Sequence, residues 1–166
     1  MKSKTVISAL VIIVGIGGLF WWGKSAQSGT AVKSASDINL SSLTAAGTAY
    51  DFGNISMKDG LVEKTFEIAN LGNQDIKLER ITTSCMCTSA YISTLEGEKG
   101  PFGMVGHESA PKINEIIRSG ETRKLRVVFD PNAHGPAGIG IISRIVTLQE
   151  SSGNKLDFQI KAVVTP

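Results

Sequence analysis

From Tyr50 to the C-terminus, apolar residues recur at every second position in short runs that end at Gly, Pro, Asn or Asp. A period of two puts alternate side chains on opposite faces of an extended chain, so the pattern asks for half-buried β-strands rather than amphipathic helices. Val62, Lys64, Phe66 and Ile68 share one parity against Glu63, Thr65 and Glu67, with Lys64 the odd member of the inner face. Asn70-Leu71-Gly72-Asn73 supplies a turn. Ile76 and Leu78 resume the alternation, and the parity slips at Arg80-Ile81, as a bulge residue makes it do. Beyond the slip, Ile81, Thr83, Cys85 and Cys87 fall on one face.

Leu125, Val127 and Phe129 form a further inward set closed by Asp130-Pro131-Asn132, and Leu156, Phe158, Ile160, Ala162 and Val164 form the last. Ile139 to Leu148 is so continuously apolar that it reads as a strand buried on both faces, in which Arg144 needs a partner or an exit to solvent. Gly135-Pro136-Ala137-Gly138, just before it, suits a type I turn. Thr94 to Ser119 carries scattered Gly and Pro and reads as a long insert with a short strand near Ile113–Ile117. Inserts of that length are usually functional or mobile. The 18 glycines and low aromatic share fit a turn-rich β protein better than a helical bundle. About seven strands at this spacing suggest an all-β immunoglobulin-like sandwich over residues 49–166, with a small β-barrel as the alternative.

The N-terminus differs in kind. Val6 to Trp22 is apolar apart from Ser8, preceded by Lys2 and Lys4 and closed by Phe20-Trp21-Trp22. Such a run suffices to cross a bilayer about 30 Å thick, with the indoles at the headgroup level. Residues 1–24 are therefore expected to be a single-pass transmembrane anchor, with a cleaved signal as the competing reading. The surplus of Lys before the run leaves the N-terminus in the cytoplasm and the domain extracytoplasmic. Residues 25–48, rich in Ser, Ala, Gly and Thr, read as a flexible tether. The formal net charge of +2 is spread without a basic stripe, which argues against nucleic-acid binding.

Tyr50-Asp51-Phe52-Gly53, Phe66-Glu67-Ile68-Ala69-Asn70, Thr83-Ser84-Cys85-Met86-Cys87-Thr88 and Phe129-Asp130-Pro131 together resemble a bacterial family of unknown function. Its members are often extracytoplasmic and membrane-anchored, and it looks like a branch of the Hydin-type (ASH) and PapD-like immunoglobulin folds. The resemblance spans roughly residues 50–166 and implies a sandwich and an exported location. It implies no activity, and no catalytic residue carries over from it.

The chemistry-bearing residues are few. Cys85 and Cys87 are the only cysteines, and His107 and His134 the only histidines. Two thiolates with imidazoles, and Met104 as a possible thioether, suit Cu(I) or Zn(II). The same cysteines could be small buried residues on a core face. An exported location favours a disulfide, although one between residues i and i+2 on an extended strand is awkward, and would open a redox role. Histidines beside glycines in loops are by default exposed and idle. Met86, opposite in parity to the cysteines, is expected in the core, and Met57 in packing. No nucleophile elbow, paired carboxylates or H-E-x-x-H motif points to an enzyme. The leading expectation is a non-catalytic, membrane-anchored binding or assembly module that meets another cell-envelope protein. The alternatives are a metal-binding domain and a thiol redox module.

Overall fold

The computed structural model describes residues 43–106 and 112–166. The anchor expected at 1–24, most of the tether and His107 lie outside them. Two five-stranded sheets stack face to face. In chain order the strands are β1 (Thr44–Ala45), β2 (Ala49–Ser56), β3 (Val62–Ala69), β4 (Ile76–Thr83), β5 (Thr88–Thr94), β6 (Gly97–Phe102), β7 (Glu115–Ile117), β8 (Thr122–Phe129), β9 (Gly140–Glu150) and β10 (Lys155–Thr165). One sheet runs β1-β3-β8-β5-β6 and the other β2-β10-β9-β4-β7. Among the strands of the described residues, β2 and β10 are the one parallel pair. No α-helix occurs among the described residues.

The inward parities meet in one core. Phe66 and Phe158 bridge the two sheets with ring centroids 4.9 Å apart, and Ile68, Leu78, Ile81, Leu125, Val127, Val146 and Leu148 pack fully buried around them. Each such side chain contributes roughly 1.5–3 kcal/mol by leaving water. The slip after Leu78 is present as a shift in the β4–β9 register between Leu78 and Arg80. Lys64, the misfit on its face, lies 4.4 Å above the Tyr50 ring at the margin of the sandwich, where its ammonium gains a cation–π contact.

Several expectations need correction. Two separate sheets exclude the closed barrel, and ten strands replace about seven. Leu43 is only 2% exposed and β1 pairs with the end of β3, so residues 43–48, expected in the tether, join the fold. The insert of 94–119 contains the strands β6 and β7. β6 tolerates Pro101 because it is an edge strand, where a missing amide donor costs no ladder bond. β9 is buried on one face only, since Ile141 is 88% exposed and Ile145 also reaches solvent. Residues 135–138 form a short 3-10 helix.

Candidate functional site

Cys85 and Cys87 do not lie on a strand. Thr83 is the last residue of β4 and Thr88 the first of β5, and the four residues between turn the chain from one sheet to the other. The motif's own hydroxyls make this turn. The Thr83 hydroxyl and the Thr88 N–H both donate to the Cys85 carbonyl, at 2.9 and 3.1 Å. Ser84 continues the β4–β9 ladder by one step. Its N–H donates to the Ile145 carbonyl at 2.8 Å, and its hydroxyl oxygen accepts from the Ile145 N–H at 2.9 Å. Short hydroxyl side chains bonding nearby backbone in this way compete with strand continuation. The Cys87 carbonyl is held by the Asp130 N–H at 2.9 Å.

The turn brings the two Cα atoms to 5.2 Å and joins the sulfurs in a disulfide. Folding the segment back, rather than extending it, sets the Cα atoms within the range of roughly 4.4–6.8 Å that bridged cysteines have. The environments of the sulfurs differ. Cys87 is 3% exposed, whereas Cys85 is half-buried. Met86, at the tip between them, is 57% exposed, which corrects the expectation of a core position.

A second crossover, from β8 to β9, meets this turn. Asp130 Oδ1 accepts from the Asn132 N–H at 2.8 Å, and Asn132 Nδ2 donates to the Met57 carbonyl at 2.6 Å, fixing the segment across the end of the sandwich. His134 directly precedes the 3-10 helix Gly135–Gly138, and Gly135 takes the positive φ of 53° at this bend, which glycine adopts without strain. This sets His134 Nε2 3.1 Å from Sγ of Cys85. On the other side, Arg144 Nε donates to Sγ of Cys87 at 3.2 Å, and its Nη1 donates to the Ser143 carbonyl at 2.9 Å.

Of the expected ligands, the structure therefore brings together Cys85, Cys87 and His134, whose donor atoms lie within 4.8 Å of one another. Met104 enters only through a backbone bridge to Thr83. His107 lies outside the described residues. Joined as a disulfide, the sulfurs are not the thiolates that soft metals require. Arg144 was not among the expected site residues. Its signal is a charge inside an otherwise apolar run, and its Nε–H and Nη1–H find the Cys87 sulfur and the Ser143 carbonyl.

Residues 43–106 match the model of a family described as "Protein of unknown function (DUF1573)". No curated protein sequence matches the chain. Among solved structures, the chain is similar to a protein of unknown function from Porphyromonas gingivalis W83, at 18% identity and a TM-score of 0.53, over 73% of this chain and 46% of that one. It is also similar to the secreted serine protease VesC from Vibrio cholerae (14% identity, TM-score 0.47, 75% and 24% covered). A third similarity is to the Pseudomonas aeruginosa CupB2 chaperone (14% identity, TM-score 0.39, 73% and 55% covered). The chain thus spans under two thirds of each of these proteins. The first likeness shows a shared fold, and the other two add nothing to it.

Proposed function

We propose that the protein is a membrane-anchored, extracytoplasmic binding module that takes up an extended segment of another cell-envelope protein along an open sheet edge. The observation that carries this reading is the edge of β3. β1 pairs only with Ile68 and Ala69, so among the described residues Val62 to Glu67 have no neighbouring strand on that side. β2 runs along the edge of the opposite sheet. Ala46, Gly47, Tyr50, Lys64 and Phe66 line a groove between the two edges.

An unpaired strand edge is a template for strand addition. Main-chain hydrogen bonds supply affinity there, and the groove receives every second side chain of the added strand. The export reading draws its support from Lys2, Lys4 and the apolar run Val6–Trp22.

A photo-crosslinking residue at exposed Thr65 on β3, with Lys161 on the outer face of β10 as control, tests the edge in intact cells. Adducts with an envelope protein are expected from position 65 and not from 161. Equal yields at both positions would end the edge proposal.

A further inference from the structure

We infer that the Cys85–Cys87 disulfide is a thiol–disulfide exchange site for cysteine-bearing polypeptides, with Cys85 as the sulfur attacked and Arg144 holding the Cys87 thiolate that leaves. This inference is independent of the β3 edge. The bridge is a poor structural staple, because closing so short a loop removes little entropy from the unfolded chain. The turn is instead held by bonds that do not involve the bridge: those from Thr83, Thr88 and Asp130, and the Ser84–Ile145 pair. Breaking the S–S bond therefore leaves both sulfurs near their places.

The two sulfurs are unequal in the way a directed exchange needs. Attack requires access, which Cys85 has and Cys87 lacks. Departure is faster for the sulfur that better carries negative charge. Cys87 faces the Arg144 guanidinium, whose Nε–H lies 3.2 Å from the sulfur and suits an anionic acceptor. Exposed apolar residues accompany the site: Met86 at the tip of the turn, Ile145 hydrogen-bonded to Ser84, and Ile139 directly after the 3-10 helix that His134 precedes. That rim suits an unfolded or extended polypeptide rather than a small hydrophilic thiol.

The exchange balances as follows. A substrate thiol gives its proton to His134 Nε2, and the thiolate attacks Sγ of Cys85. The Cys85–Cys87 bond breaks and Cys87 leaves as a thiolate against Arg144. A second substrate thiolate, its proton lost to solvent, attacks the substrate sulfur of the mixed disulfide. Cys85 leaves and takes the proton from His134. Two electrons pass from the substrate dithiol to the cysteine pair, and the substrate gains a disulfide.

Full-length oxidised protein in detergent micelles, mixed with reduced, unfolded ribonuclease A, should gain two thiols for each disulfide formed in the ribonuclease. With scrambled ribonuclease A, whose disulfides accept a free thiolate and release one of their own sulfurs as thiol, Cys87→Ser should trap a mixed disulfide through Cys85, and Cys85→Ser about tenfold less, since the remaining sulfur is buried. If Cys87→Ser does not fold, mild reduction and alkylation of the native protein should label Cys85 before Cys87. Arg144→Gln should shift the equilibrium with glutathione about tenfold toward the disulfide, with Arg144→Lys recovering part of it. A purely structural Arg144 would lower the melting temperature without moving that equilibrium. Equal trapping by the two variants, labelling of Cys87 first, or an unmoved equilibrium in Arg144→Gln would each overturn the assignment. So would protein isolated with both thiols free and zinc or copper bound. Reduction by glutathione alone as fast, per thiol, as by ribonuclease would overturn the polypeptide as substrate.

Discussion

The two ends of the sandwich hold their polar atoms in opposite ways. At one end, around the β3–β4 turn, the fully buried Asn70 side chain donates to the carbonyls of Gln74 and Ile117 at 2.7 and 2.9 Å and accepts from the Gly72 N–H at 3.0 Å. Its main-chain N–H and carbonyl bond Glu121 and Gly120. Glu150, 3% exposed, accepts from the Leu43 N–H, the Ser152 hydroxyl and the Asn154 amide. The Asn70 and Glu150 groups are saturated, which is what buried polar atoms need if they are to stabilise a fold, while Nε and Nη2 of the neighbouring Arg123 are buried without a partner among the described residues. At the other end, the buried sulfur of Cys87 faces a guanidinium and is bonded to the half-buried sulfur of Cys85, which faces an imidazole. A saturated network has nothing left to offer a visitor. The contrast separates an end that holds the molecule together from one that is equipped to react.

If that division holds, stability should be far more sensitive at the Asn70 end. Asn70→Leu leaves two carbonyls and one N–H without their partner in a site with no exposure, and should cost about 2–4 kcal/mol in urea denaturation. Replacing both cysteines with serine should cost only about 1–2 kcal/mol, the amount expected for so short a loop, with the β4–β5 turn intact by NMR. A larger loss for the cysteine pair than for Asn70 would invert the comparison and make the bridge a structural staple.

Much of this architecture is legible in the sequence wherever one face of a strand is buried. β3, β8 and β10 follow their alternation, and the bulge in β4 shows as a slip in parity, because a single extra residue reverses every later side chain. β6 is hidden because Gly100 and Pro101 are turn residues in most settings, and only its place at a sheet edge permits them. β9 misleads in the other direction. Ile141 and Ile145 look like core residues but face solvent. At the site, parity extended one face through Cys85 and Cys87, whereas the hydroxyls of Thr83 and Ser84 had already ended the strand. Those hydroxyls were visible in the motif, but a count of apolar positions gives them no weight. The pairing of His134 with Cys85 and of Arg144 with Cys87 joins residues about fifty positions apart, and only the two crossovers at one end of the sandwich bring them together.

The smallest effect expected is a pH dependence whose first sign is at the Asn70 end. Glu121 receives the Arg118 N–H at 2.8 Å and pairs with Arg123 Nη1 at 2.6 Å. The Arg118 backbone donor, and then Arg123, hold its carboxyl below the usual carboxylate range. Since the folded value is the lower one, the stabilisation is complete above the unfolded value of about 4.3 and is lost as pH falls through the folded value. Acidification below about pH 4 should therefore loosen the Arg118–Arg123 segment, read as faster amide exchange there, before the β4–β5 turn responds. Glu121→Gln should flatten part of this slope while leaving the part due to Glu98, whose carboxyl Arg126 holds low on the outer face of the same sheet. Exchange that accelerates first around Cys85 would mean that the carboxylate network does not set the weak point in acid, and that the reactive end is also the softer one.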